Sequence, residues 1–109
     1  MTPGLAWGAL LLAGALDVAW AIAMKRAAGW SNLPWSLAAL ALLGGFTWLL
    51  GKALQAVPLG TAYAVWTGLG AAGTVLAGAL LFGEAVTPLR LLGIALVLAG
   101  ILALKLAPG

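Results

Sequence analysis

The sequence predicts an all-α membrane protein of four transmembrane helices, and three observations carry that prediction. Of its 109 residues, 65% are hydrophobic and only 6% are charged, whereas a water-soluble domain has roughly a quarter of its residues charged. Apolar segments follow one another along the whole chain, separated only by short clusters of Gly, Pro, Ser, Asn and charge. At about 20 residues per crossing, the length suffices for four helices and almost nothing else. Residues 1–109 therefore read as one transmembrane domain without a soluble domain, linker or low-complexity tail. The opening "MTPGLAW" lacks the basic flank of a signal peptide.

The first span is expected over about Gly4 to Met24, ending at Lys25 and Arg26, with "AAGWSNLP" as a short loop. The second covers about Leu33 to Gln55 and carries Lys52 near its end. "AVPLG" then turns the chain, because Pro58 disfavours a continuous helix. The third, about Leu59 to Phe82, contains no charge. In "GEAVTP", Thr87 can cap the fourth helix and Pro88 can take its first position. That helix is expected to reach about Leu106, with Arg90 and Lys105 snorkelling to opposite headgroup regions. Trp7, Trp30 and Trp35 suit the aromatic belt near span ends. Glu84 reads as a solvated loop residue paired with Arg90.

Five bases against two acids give a net charge of +3, too few charges for a nucleic-acid patch or a disordered tail. The absence of cysteine and histidine removes disulfides, zinc sites and imidazole chemistry. No phosphate-binding G-x-x-x-x-G-K-[ST] motif and no nucleophile–base pair is present, so neither an enzyme nor a cofactor or metal is expected. Alternating spans place Lys52 and Lys105 on one side of the membrane, and Lys25, Arg26 and Arg90 on the other. Positive-inside bias normally fixes orientation; this near balance predicts insertion both ways and antiparallel pairing into a dual-topology homodimer. The alternative is that Lys25 and Arg26, next to the first span, impose a single orientation. Four thin helices enclose little volume, so a central cavity calls for a second subunit. Gly93 and Gly100 share a face of the fourth helix and are candidates for dimer packing, since close approach at small residues drives helix association in lipid.

"LLLAGALDVAWAIAMKR" sets one acid, Asp17, near the middle of the first span. An ionised carboxylate there costs about 2.5–3.5 kcal/mol on insertion scales, and such residues are usually functional. The bland alternative is a stray acid that snorkels or pairs with Lys25, two turns away. Ala13, Gly14, Asp17, Trp20 and Ala21 fall on one helical face. Small residues leave room beside the acid, and Trp20 offers an N–H or an aromatic wall. A carboxylate so placed has two tolerable states, protonated and cation-paired, and proton and cation then compete for it. A site facing each side in turn would couple outward cation movement to inward proton movement. Antiparallel pairing would bring two copies of Asp17 together, with linked titrations.

The third span supplies "GTAYAVWTGLGAAG". Tyr63 and Trp66, three residues apart, share a face and suit the lining of a cation site. Gly68, Gly70 and Gly73 are either packing surface or a flexible point, with Gly68 and Gly70 as the expected bend between access states.

In combination, the acid in a first span ending "MKRAAGW", the stretch "VPLGTAYAVWTGLGAAG" and the closing "LFGEAVTPLRLLGIALVLAGILALKL" resemble the small multidrug resistance family. The resemblance covers essentially the full length. It implies a four-helix protomer in the bacterial inner membrane, an antiparallel homodimer, and proton-coupled export of small cations, with Asp17 binding proton and substrate alternately. Trp20 together with "GTAYAVWTG" is similar to the guanidinium-exporter subtype; guanidinium is planar and offers forked donors to carboxylates. Two positions depart from the pattern. The family's acid is almost always glutamate, and aspartate is shorter and intrinsically the stronger acid. The subtype also has a second-span serine that hydrogen-bonds the acid; counting back from Trp66 puts Phe46 there, with Thr47 adjacent as a substitute. Phe46 leans toward the alternative of a quaternary ammonium or lipophilic-cation exporter. From other classes, the chain would be a non-transporting structural subunit with a degraded site, or a small ion channel.

Overall fold

The computed structural model describes residues 2–107, and its four helices are α1 (Pro3–Arg26), α2 (Leu33–Ala53), α3 (Leu59–Phe82) and α4 (Pro88–Leu106). All four are long and apolar enough to cross a membrane. Local chemistry explains where three of them begin. Thr2 Oγ1 accepts from the Leu5 amide at 3.3 Å, Asn32 Oδ1 from Trp35 at 3.3 Å, and Thr87 Oγ1 from Arg90 at 3.1 Å. Each cap satisfies a helix-end donor that lipid would leave unpaired, and a proline stands in the first turn, where no N–H is needed. α3 starts after Pro58 without a side-chain cap and ends at Gly83, whose left-handed φ of 65° stops the helix.

The boundaries shift slightly from the sequence expectation. α1 runs on through Lys25 and Arg26, whose charges favour a helix C-terminus. α2 stops at Ala53, and Gln55 lies in the tight turn that follows, where Leu54 and Val57 donate to Leu50 and Ala53. The α1–α2 loop holds three consecutive left-handed residues, Ala28, Gly29 and Trp30 (φ 50°, 68° and 71°). Only the glycine adopts this region without steric cost.

The helices form a single layer, in the order α2–α1–α3–α4. α1 packs against both α2 and α3, whereas α4 touches α3 alone. The principal extents are 44 × 34 × 16 Å, so the arrangement is flat, its short dimension well under half of the long one. α1 and α3 run parallel at its centre. Ala6 and Leu10 of α1 pack with Ala62 and Val65 of α3 at one end, in a core completed by Ala9, Ala53 and Val57. Lys25 meets Glu84 and Phe82 at the other end. Small residues bring the pair close: a Cβ on Gly14 would lie 2.9 Å from Leu69, and one on Gly73 2.5 Å from Val18. No residue of α4 is buried, and most of its leucines are exposed.

One expected ion pair is replaced by another. Glu84 binds Lys25 at 3.3 Å rather than Arg90. The left-handed turn at Gly83 folds Glu84 back over Gly78, with its amide donating to the Gly78 carbonyl at 3.2 Å, and this carries the carboxylate toward α1. The same pairing takes Lys25 away from Asp17. Arg90 instead borders the groove between α3 and α4, beside Ala71, Val75 and Gly93.

Candidate functional site

Asp17 lies in the central α1–α3 seam, half-buried. Its carboxylate fills the space left by the missing side chain of Gly70, where a Cβ would collide with Oδ2. Ala13 and Gly14, one turn earlier on α1, are buried in the same interface, and Trp20 and Ala21 follow on the same face, half-buried. None of the side-chain hydrogen bonds among the described residues reaches Asp17. The carboxylate thus stands in the seam without a side-chain donor among the described residues, so a charge there has no built-in compensation.

Beside the seam, aromatic rings from three helices form a connected row. Trp20 of α1 meets Phe46 of α2 edge-on, with centroids 5.8 Å apart and planes at 68°. Phe46 lies 5.5 Å from Trp66 of α3 with planes at 31°, and Trp66 meets Tyr63 edge-on at 5.5 Å. The geometry is that of favourable aromatic pairs. Tyr63 is the exposed end of the row, with 58% of its surface open. Trp66 and Gly70 are one helical turn apart, so the row and the acid's recess share a face of α3. The Trp66 indole nitrogen Nε1 is buried without a hydrogen-bond partner. Buried donors of this kind are rare, which sets this indole apart from the other side chains of the row.

The structure brings Ala13, Gly14, Asp17, Trp20, Phe46, Tyr63 and Trp66 into this region and separates others. Thr47 does not take the role of a donor to Asp17. It is exposed, and its hydroxyl donates to its own helix, to Leu43 O at 2.7 Å and Gly44 O at 3.1 Å. Spacing allows either packing or bending at the α3 glycines. The helix runs unbroken through them, and each meets a side chain: Gly68 faces Ile101 and Val97 of α4, Gly70 faces Asp17, and Gly73 faces Val18. A Cβ added at Gly93 or Gly100 would meet no neighbouring atom within 4 Å, and both glycines border the open groove between α3 and α4. Sequence reading missed Gly70 as the acid's neighbour. The available signal was a glycine one turn after Trp66. No group of three metal-ligating side chains forms among the described residues.

A planar cation with N–H donors matches this arrangement. It can give two hydrogen bonds to a carboxylate while its faces lie against aromatic rings.

Comparison with known proteins covers nearly the whole chain. The family model described as Small Multidrug Resistance protein matches residues 5–97. A guanidinium exporter of Yersinia pseudotuberculosis serotype I (strain IP32953) is 47% identical over 103 residues, covering 94% of this chain and 99% of that protein. A guanidinium exporter of Citrobacter freundii is 45% identical over 103 residues, covering 94% and 98%. One from Salmonella typhimurium (strain LT2) is 44% identical over the same length and shares.

Proposed function

This chain belongs to the Small Multidrug Resistance family, and from that premise we propose that it exports guanidinium or substituted guanidinium ions in exchange for protons. It is a multi-pass membrane transporter. In the proposed cycle Asp17 carries either a proton or the cation. Loading one expels the other, and exposure of the site to each side in turn makes the exchange. The observation that carries this reading is the donor-free carboxylate set against Gly70, one turn from the unpaired indole of Trp66. The names of the relatives supply the cation.

The working unit in this proposal is an antiparallel homodimer in the bacterial inner membrane. A single layer of helices leaves the Asp17 seam without an opposite wall. A second copy would provide one, with its own Asp17 and an acceptor for the Trp66 N–H. The unburied face of α4, with Gly93 and Gly100 open, offers room for contact between copies. Lys25, Arg26 and Arg90 at one end stand against Lys52 and Lys105 at the other, and that near balance supports insertion in both orientations.

One observation favours a second reading. Phe46, held between Trp20 and Trp66, makes the site aromatic enough for a quaternary ammonium ion. Solid-supported-membrane currents from purified protein in liposomes separate the two. Currents with guanidinium and none with tetra-alkyl ammonium bear out the first; the reverse pattern establishes the second. Silence with every cation overturns both.

A further inference from the structure

The α1–α3 seam differs at its two ends. Toward the start of both helices it is sealed by apolar packing, where Ala6, Leu10, Ala62 and Val65 have no exposed surface. Beyond Asp17 it stays narrow and gains polar groups. Gly70, Thr74 and Gly78 recur at four-residue steps on α3, parallel to Asp17, Ala21 and Lys25 at the same steps on α1. A cavity of about 50 Å³ lies here, bordered by Ala21, Ile22, Thr74, Gly78 and Phe82, with room for water. Its remaining walls are Lys25 and Glu84, the ion pair that joins the last turn of α1 to the α3–α4 turn.

We infer that the Lys25–Glu84 pair is a gate, closing the α1–α3 seam between Asp17 and the membrane surface and admitting water and the exchanged ions when it parts. The inference rests on Asp17 being the exchange site. Several features suit a gate. Glu84 sits on a turn fixed by Gly83, and it lies where a Cβ on Gly78 would be, so its carboxylate reaches the seam only because position 78 is glycine. Lys25 extends from the same helix face as Asp17, two turns on, with its ammonium 5.1 Å from the Phe82 ring centre. Both side chains remain partly exposed, at 55% and 40%. An exposed ion pair is weak, as a contact that opens in every transport cycle must be. The neighbouring Arg26 shares the Phe82 ring with Lys25, its guanidinium 5.2 Å from Phe82 and 5.3 Å from Trp35, while Glu84 pairs with Lys25. Arg90 faces the α3–α4 groove.

The chain has no cysteine, so Ala21→Cys introduces a single thiol in the seam. Its reaction with a cationic, membrane-impermeant methanethiosulfonate, added to both faces of proteoliposomes, reports opening regardless of orientation. Lys25→Gln and Glu84→Gln should each speed labelling about two- to fivefold, the range set by losing one exposed ion pair. The exchange Lys25→Glu with Glu84→Lys should restore the slow rate and shows that the altered seam still folds. Electrostatic attraction of the reagent alone would move the two single variants in opposite directions. That result, unchanged rates, or a charge exchange that fails to slow labelling would overturn the gate. Failure of the transport reading is seen separately, as proton-driven guanidinium uptake persisting in Asp17→Asn while the labelling pattern stands.

Discussion

The Asp17 carboxylate occupies the place where Gly70 would carry a side chain. A membrane-embedded acid and a glycine on the neighbouring helix are thus complementary in shape, and the acid's position in the seam depends on an atom that is absent.

Gly70→Ala should displace Asp17 or part α1 from α3, at a cost of about 1–3 kcal/mol as in other overpacked interfaces. Guanidinium-driven currents should fall to background. Gly51→Ala, where an added Cβ would meet no atom within 4 Å, is the control, and it should retain both the parent fold by circular dichroism and the parent currents. Wild-type currents from Gly70→Ala would show that the recess is dispensable.

Asp17→Asn should abolish exchange driven by a pH gradient, because the amide can neither take up a proton in this range nor pair with a cation. In the proposed cycle, competition sets the sign of the pH response. Acid fills the carboxylate with protons and weakens cation binding, whereas a rise in pH releases it and strengthens binding. Titration calorimetry with guanidinium at several pH values checks this, and affinity that is flat with pH would contradict competition.

Trp66→Phe keeps an aromatic ring between Phe46 and Tyr63 and removes the unpaired N–H. Removing the unsatisfied buried donor offsets part of the packing lost with the smaller ring, so stability should change by no more than about 1 kcal/mol. Transport should nevertheless drop if that N–H serves the assembled site. A drop in thermal stability equal to the loss of transport would assign Trp66 a packing role alone.

Phe46→Leu breaks two aromatic contacts at once, each worth about 0.5–1.5 kcal/mol beyond area burial, and should destabilise the protein by about 1–3 kcal/mol. It should also reduce any response to tetra-alkyl ammonium more than the response to guanidinium. Thr47→Ala, one residue on, should leave both currents intact, since its hydroxyl is bonded to its own backbone. Current amplitudes for the two cations, measured side by side, test the pair.

Much of this architecture is legible in the sequence because its punctuation is local. Thr87 before Pro88 marks a helix start that the structure caps by a hydrogen bond, and Thr2 before Pro3 and Asn32 before Pro34 carry the same signal, which the sequence reading passed over; the α1 face with Asp17 follows from helical spacing alone. Side-chain partners across helices are not local and are harder to read. Gly68, Gly70 and Gly73 look alike in the chain, yet they meet α4, the acid and Val18 respectively, since each step around α3 turns toward a different neighbour. Glu84 is nearer in sequence to Arg90 than to Lys25, but a left-handed Gly83 reverses its direction. The left-handed Ala28 and Trp30 carry no sequence signal, because neither residue type favours that conformation.

A protein 16 Å through its short dimension behaves more like a ribbon than a droplet. It has two broad flanks and only a slim core at one end of the α1–α3 seam, so in the proposed cycle whatever shelter its ions receive must be assembled between ribbons or lent by lipid. Cohesion of that kind obeys mass action: thinning the protein out in bilayer should lower its melting temperature, and crowding it should raise it.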